Sequence, residues 1–129
     1  EGMDEMIVQS NIPTASLCEH HLLPFVGTAS VAYIPDGKIV GLSKLARAVK
    51  HCAAGLQNQE RVTRAVADML ELNLRPKGIG VVLKARHLCM ELRGVRAPDV
   101  WTTTSCLRGA FLSDEKCRAE FMALAREAR

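Results

Sequence analysis

Residues 78–92 read GIGVVLKARHLCMEL and form the longest strand-like stretch of the sequence. Apolar residues dominate it, so we predict one long strand whose odd and even positions face opposite sides of a sheet. The Thr-rich residues 100–110 predict a second strand, and residues 94–99 a connection between the two. These two strands are expected to pair as an antiparallel hairpin.

The preceding segments predict a second hairpin and two helices. Residues 25–34 favour a strand, residues 35–37 (Pro-Asp-Gly) a turn, and residues 38–41 a short partner strand. Ser43 is predicted to cap a helix that ends near Gly55, and a further helix is expected to end at Pro76 and Gly78.

A last helix is predicted to begin at Ser113, where two acidic residues follow in the first turn. The whole chain, residues 1–129, is therefore expected to form a single α+β domain. We predict an antiparallel four-stranded sheet with helices on one face. The edge strands of so small a sheet expose unpaired backbone N–H and C=O groups, which favours association with other subunits.

Composition excludes several classes of protein. The chain has 129 residues, is 48% hydrophobic, and carries a net charge of +3 from 17 basic and 14 acidic residues. That apolar content argues against disorder, and the modest, scattered charge argues against a nucleic-acid partner. No apolar run is long enough for a membrane helix. Five cysteines, an odd count without a signal sequence, indicate a cytoplasmic protein with free thiols or a metal site.

Two Cys/His clusters suggest a metal site. Cys18 and His21 have the Cys-x-x-His spacing with which one loop can offer two zinc ligands. His87 and Cys89 are two apart on the predicted strand and so are expected to face the same side. Cys89 could supply a third ligand and leave a fourth position for water, as in catalytic zinc sites. A polar loop and a core strand with incidental His and Cys remain the alternative.

The starts of the two long helices carry further polar residues. The first of these starts could form an anion-binding site, because it combines the Ser43 hydroxyl and free helix amides with the cations Lys44 and Arg47. The alternative, a capped helix with solvated basic residues, is common. Gln59 and Glu60 could bind the edge of a guanine, because a carboxylate accepts two hydrogen bonds. The sequence alone favours the alternative, a solvated helix start with a favourably placed Glu.

Four motifs together resemble the GTP cyclohydrolase I family. The run Ser-Leu-Cys-Glu-His-His-Leu-Leu-Pro-Phe at 16–25 is similar to the zinc loop of that family. The segments 41–47, 57–64 and 87–90 with Arg93-Gly94 also match, in the family's order and with similar spacing. The resemblance covers nearly the whole chain, from about Met3 to Arg126, and most of the family's N-terminal helical region lies outside it.

The resemblance implies a tunnelling fold, in which the sheets of several subunits join into a barrel, and a ring-shaped decamer with active sites between subunits. It implies zinc-dependent conversion of GTP to 7,8-dihydroneopterin triphosphate and formate, without a redox cofactor. The implied residues fall into four groups: zinc ligands Cys18, His21 and Cys89; catalytic residues His20, His87 and Ser43; guanine-binding residues Gln59 and Glu60; and Ser43, Lys44, Arg47 and Arg93 for the triphosphate and ribose.

Three other functions stay open at the level of sequence. The first is a zinc-containing binding module without turnover. The second is the related tunnelling-fold nitrile reductase, although its Glu-Ser-Lys-Ser-type signature is absent from this sequence. The third is a structural zinc domain, which would need a fourth protein ligand. Nothing in the sequence supports a regulatory protein partner.

Overall fold

The computed structural model describes residues 5–127, without the side chains of Leu42 and Glu127. Its centre is one sheet of five strands, one more than the four predicted, in the order β3-β1-β2-β4-β5. The two-residue β3 pairs parallel to β1, and the other neighbours are antiparallel. The strands are β1 (Ile7–Cys18), β2 (Pro24–Ile34), β3 (Leu56–Gln57), β4 (Gly78–His87) and β5 (Trp101–Gly109).

Helices lie on both faces of this sheet. Two long helices cover one face, as predicted, and pack on its main core; the last helix covers part of the other face, which the sequence analysis missed. Phe121 of that helix packs beneath Gly80, so close that a Cβ at Gly80 would lie 2.6 Å from its ring. The helices are α1 (Leu42–Ala53), α2 (Gln59–Leu74), α3 (Leu88–Leu92), α4 (Ala110–Ser113) and α5 (Glu115–Glu127).

The partner of β2 differs from the prediction. Residues 38–41 form no strand, and β2 pairs instead with β1, which the sequence analysis did not predict. In the second half of β1 every other residue is buried, but two of those positions are Thr14 and Ser16. Polar residues at buried positions hide the apolar alternation by which a half-buried strand is recognised.

Three predicted boundaries are also corrected. β4 ends at His87, and Cys89 therefore lies on α3 and not on a strand face shared with His87. Gly41, not Ser43, occupies the N-cap position of α1. Asp114 caps α5 in place of Ser113, because its Oδ1 accepts hydrogen bonds from the amides of Lys116 and Cys117.

No helix in the described part of the chain is long and apolar enough to cross a membrane. The main core lies between the sheet and the α1–α2 pair, where large side chains such as Phe25, Tyr33 and Leu45 are fully buried. This packing sets the start of α2 against the ends of β1 and β4, where the Cys/His clusters lie.

Candidate metal centre and active site

The β1–β2 turn holds the first two metal-binding side chains. Cys18 is the last residue of β1, and its amide donates to Leu23 O at 2.8 Å, while its carbonyl accepts from Leu22 N at 2.8 Å. Leu22 adopts φ +57°, the left-handed conformation that lets so short a turn close. The turn brings His21 Nδ1 to 3.6 Å from Cys18 Sγ.

Cys89 joins these two residues from the other side of β2. The first residues of β2 pair with the end of β4, where Phe25 lies opposite His87, so α3 begins beside the turn. One ligand atom each from Cys18, His21 and Cys89 lies within 4.8 Å of the others. This is the only such group found among residues 5–127, and it contains no fourth donor.

The donor set suits zinc. Two thiols and an imidazole are preferred zinc ligands, and three protein donors are typical of catalytic sites. Burial, followed by the neighbouring Cys18, raises the pKa of the Cys89 thiol. A bound cation would reverse this, because metal ligation favours the thiolate. The predicted ligands are thus brought together, and the site fits the ion.

The loop that carries Cys18 and His21, called the metal loop, is joined to the start of α2 by hydrogen bonds of Glu19. The Glu19 carboxylate accepts hydrogen bonds from Arg61 and, at 3.3 Å, from Asn58 Nδ2. The backbone amide of Glu19 donates to Gln57 O at 3.0 Å. The Arg61 guanidinium is the main reason that the pKa of Glu19 is lowered. The sequence analysis missed this brace, since a pairing across 42 positions leaves no local signal.

His87 lies beside the metal cluster in a defined orientation. Its ring stacks on Phe25, with centroids 4.8 Å apart and planes 17° apart, and its Nε2 lies 2.7 Å from Gln59 Oε1. Burial lowers the pKa of His87, while the nearby Glu60 carboxylate acts in the opposite direction. His20, in contrast, is 73% exposed, with its Nε2 3.9 Å from the Glu19 carboxylate.

The two residues predicted to bind guanine have opposite environments. Gln59 is 2% exposed, and its amide is hydrogen-bonded within the protein. Glu60 is exposed and lines a cleft of about 240 Å³ together with Thr104 and Cys106 of β5. Only Glu60 therefore offers a free side chain to a ligand.

The predicted phosphate-binding residues are divided between two places. Arg93 follows α3, and its positive charge acts to lower the pKa of the nearby Cys89 thiol. Lys44 and Arg47 instead line a cleft of about 500 Å³ with Asn73, at the C-terminal end of α2. Asn73 is 14 residues from Gln59, or about 21 Å along the helix. One chain thus does not bring Lys44 and Arg47 to its own metal cluster, and Ser43 lies next to Lys44 at the start of α1.

These two places are called the metal end and the basic end of the α1–α2 pair. The metal end comprises Cys18, His21, His87 and Cys89. The basic end comprises Lys38, Lys44, Arg47 and His51.

Comparison with known proteins gives the family. The profile of the GTP cyclohydrolase I family matches residues 1–126. The chain belongs to this family. It is 56% identical over 123 residues to GTP cyclohydrolase 1 of Aquifex aeolicus (strain VF5), which covers 95% of this chain and 67% of that protein. It is 54% identical over 126 residues to GTP cyclohydrolase 1 of Chlorobium phaeovibrioides (strain DSM 265 / 1930), covering 98% of this chain and 56% of that protein.

Membership confirms the resemblance drawn from the motifs, and GTP cyclohydrolase I is a family of hydrolases. The chain spans little more than half the length of the Chlorobium relative. The predicted tunnelling fold is confirmed by the apo form of archaeosine synthase QueF-Like, with a TM-score of 0.66 over 81% of this chain and 93% of that one. At 15% identity, this likeness concerns the fold alone.

Proposed function

We propose that this protein catalyses the zinc-dependent hydrolysis and rearrangement of GTP to 7,8-dihydroneopterin triphosphate, with release of formate. The observation that supports it most directly is the convergence of Cys18, His21 and Cys89 beside an oriented His87. A metal site with an adjacent half-buried imidazole has the parts that hydrolysis at a ring carbon needs.

The three ligands would hold zinc, which when bound activates water for attack on the purine ring. His87 donates a proton to a nitrogen of the five-membered ring as that ring opens, and takes one back before the next turnover. His20 lies at the exposed side of the same loop, where it can assist opening of the ribose.

Substrate recognition is assigned to charged groups that remain free. Glu60 accepts hydrogen bonds from the guanine edge, and Arg93 attracts the anionic part of GTP near the metal cluster. Lys44 and Arg47 of the basic end, with Ser43 beside them at the start of α1, act on the triphosphate and ribose. They reach the metal end only if a second copy of the chain supplies them.

The active site is therefore proposed to form between subunits of a homo-oligomer, a decamer of two pentameric rings. The long outer strand β5 is unpaired on one side in the single chain, which leaves backbone groups free to join the sheet of a neighbour. Zinc and GTP are the proposed cofactor and substrate, and the cytoplasm the proposed location.

The test is to load the protein with zinc, add GTP, and measure formate together with the fluorescence of oxidised neopterin. We expect both products from the unmodified protein and from Cys117→Ala, whose changed side chain lies in the core under α5. We expect neither product from Cys89→Ser. Zinc binding without formate release in the unmodified protein would replace this proposal with a binding module.

A further inference from the structure

Gln59 is the first residue of α2, and its side chain points into the sheet. Its Nε2 lies 3.2 Å from Leu83 O, 2.8 Å from Thr102 O and 3.1 Å from Thr104 Oγ1. Carbonyl oxygens only accept hydrogen bonds, so the amide nitrogen must be the atom that faces them. The position of Oε1, on the other side of the amide, follows from this.

Two threonines fix the direction of the remaining hydrogen bonds. Thr63 Oγ1 donates to the backbone carbonyl of Gln59 at 2.9 Å and lies 2.8 Å from Thr104 Oγ1. Because the single proton of Thr63 is used on that carbonyl, Thr104 must donate to Thr63, and its lone pairs are left to face the Gln59 amide nitrogen. The network is closed, and the Gln59 amide cannot turn over without breaking it.

The Gln59 amide oxygen therefore determines which nitrogen of His87 carries the proton. Oε1 lies 2.7 Å from His87 Nε2 and can only accept, so Nε2 is the donor. Stacking on Phe25 fixes the plane of the ring, and the Gln59 bond fixes its rotation within that plane. His87 Nδ1 has no hydrogen-bond partner among the described residues and remains available to a substrate.

We propose that Gln59 is a positioning residue that holds His87 in the Nε2–H form, so that His87 exchanges protons with the substrate only through Nδ1. The proposal rests on the proposed function and replaces the assignment of Gln59 to guanine. In the reaction, the Nδ1 lone pair takes up a proton from water; the new N–H bond then breaks as the proton passes to a purine nitrogen, and its electron pair stays on Nδ1. The Nε2–H bond to Gln59 is unchanged throughout.

The first test is solid-state ¹⁵N NMR of the zinc-loaded, ¹⁵N-histidine-labelled protein at about pH 8, where a neutral imidazole is expected. The His87 signals are identified by their loss in His87→Ala. We expect a protonated Nε2 and an unprotonated Nδ1 in the unmodified protein, and a mixture of both forms in Gln59→Met. A protonated Nδ1 in the unmodified protein would overturn the proposal, even if Gln59→Met failed to fold.

The second test separates positioning from substrate binding by kinetics with GTP. Gln59→Met should lower kcat about 10- to 100-fold, as loss of an orienting partner does, with KM changed less than about twofold. The neighbouring Glu60→Gln should instead raise KM. A raised KM with unchanged kcat in Gln59→Met would make Gln59 a guanine ligand. If the unmodified protein fails to turn over GTP, the proposed function falls, while the NMR result still decides the form of His87.

Discussion

The metal end and the basic end of the α1–α2 pair differ in how their side chains are held. At the metal end, His21, His87 and Cys89 each contact another residue of the site, and Glu19 ties the loop to α2. At the basic end, Lys44, Arg47 and His51 are exposed around an open cleft. One chain thus contains a hydrogen-bonded Cys/His cluster that could hold a metal ion and, separately, an exposed cluster of cationic side chains.

The chemistry proposed for each place gives a physical reason for the difference. Proton transfer and metal ligation depend on geometry to fractions of an ångström, so those groups need rigid support from strands and helix starts. A triphosphate is attracted by positive charge over several ångströms, and flexible cations suffice for it. Like charges gathered in one cleft also repel one another until an anion neutralises them.

The largest expected effect comes from removing a metal ligand. Cys18→Ser should abolish both zinc binding and turnover, because the loop then keeps only His21 as a strong zinc donor. Zinc content by atomic spectroscopy and formate release are the measurements. Cys52→Ala, a buried cysteine outside the cluster, is the matched control and should keep both. Full zinc occupancy in Cys18→Ser would remove this residue from the metal end.

The next effect tests whether His87 is separate from the ligands. His87→Ala should keep its zinc but turn over GTP about 10²- to 10⁴-fold more slowly, the usual loss for a general acid or base. His20→Ala should also keep zinc, while allowing ring-opened formamide to accumulate. Product analysis by chromatography distinguishes the two variants. Zinc loss in either variant, or normal turnover in His87→Ala, would contradict this division of roles.

The separation of the two ends predicts complementation between two differently impaired variants. Arg47→Ala should raise the KM for GTP about 10- to 100-fold, the loss expected for a hydrogen bond to a charged group, without releasing zinc. Oligomers reassembled from equal amounts of Arg47→Ala and Cys89→Ser chains should regain about a quarter of the unmodified activity at low GTP, if each site uses two neighbouring chains. Sites built within one chain would regain none.

A smaller effect is expected from the brace behind the metal loop. Arg61→Met removes the main partner of the Glu19 carboxylate but keeps the length of the side chain. Zinc should then bind about tenfold more weakly, as is typical when the support of a ligand is lost. Competition with a chelator measures this affinity. Arg64→Met, an exposed change one turn further along α2, should leave the affinity as it was.

The smallest effect lies outside both ends, at the start of α5. Backbone amides of Cys117 and Lys116 lower the pKa of Asp114, so its carboxylate stabilises the fold above the usual aspartate range and loses this effect as pH falls through the lowered pKa. Asp114→Ala should therefore unfold at a lower temperature than the unmodified protein at pH 7, with the gap closing in acid. Ser113→Ala should show no such gap. Calorimetry at several pH values provides the test, and a gap independent of pH would contradict it.

Local patterns in the sequence predict most of the long elements and the three Cys/His residues that the fold brings together. β2, α2 and β5 follow from periodicity and turn residues, and the Cys-x-x-His loop is evident from spacing. The strand β1 escapes prediction because Thr14 and Ser16 occupy buried positions. The roles of Gln59 and Arg61 also escape it, because both depend on partners dozens of residues away that only the folded sheet brings near.

X-ray absorption at the zinc edge tests the central claim most directly, since it reports the ligand atoms of the bound ion. For the zinc-loaded protein we expect two sulfurs at about 2.3 Å and one imidazole nitrogen at about 2.0 Å, with one further light atom. Cys89→Ser should lose one sulfur or the zinc altogether. Four sulfurs, or a shell made only of oxygen and nitrogen, would contradict the assignment of Cys18, His21 and Cys89.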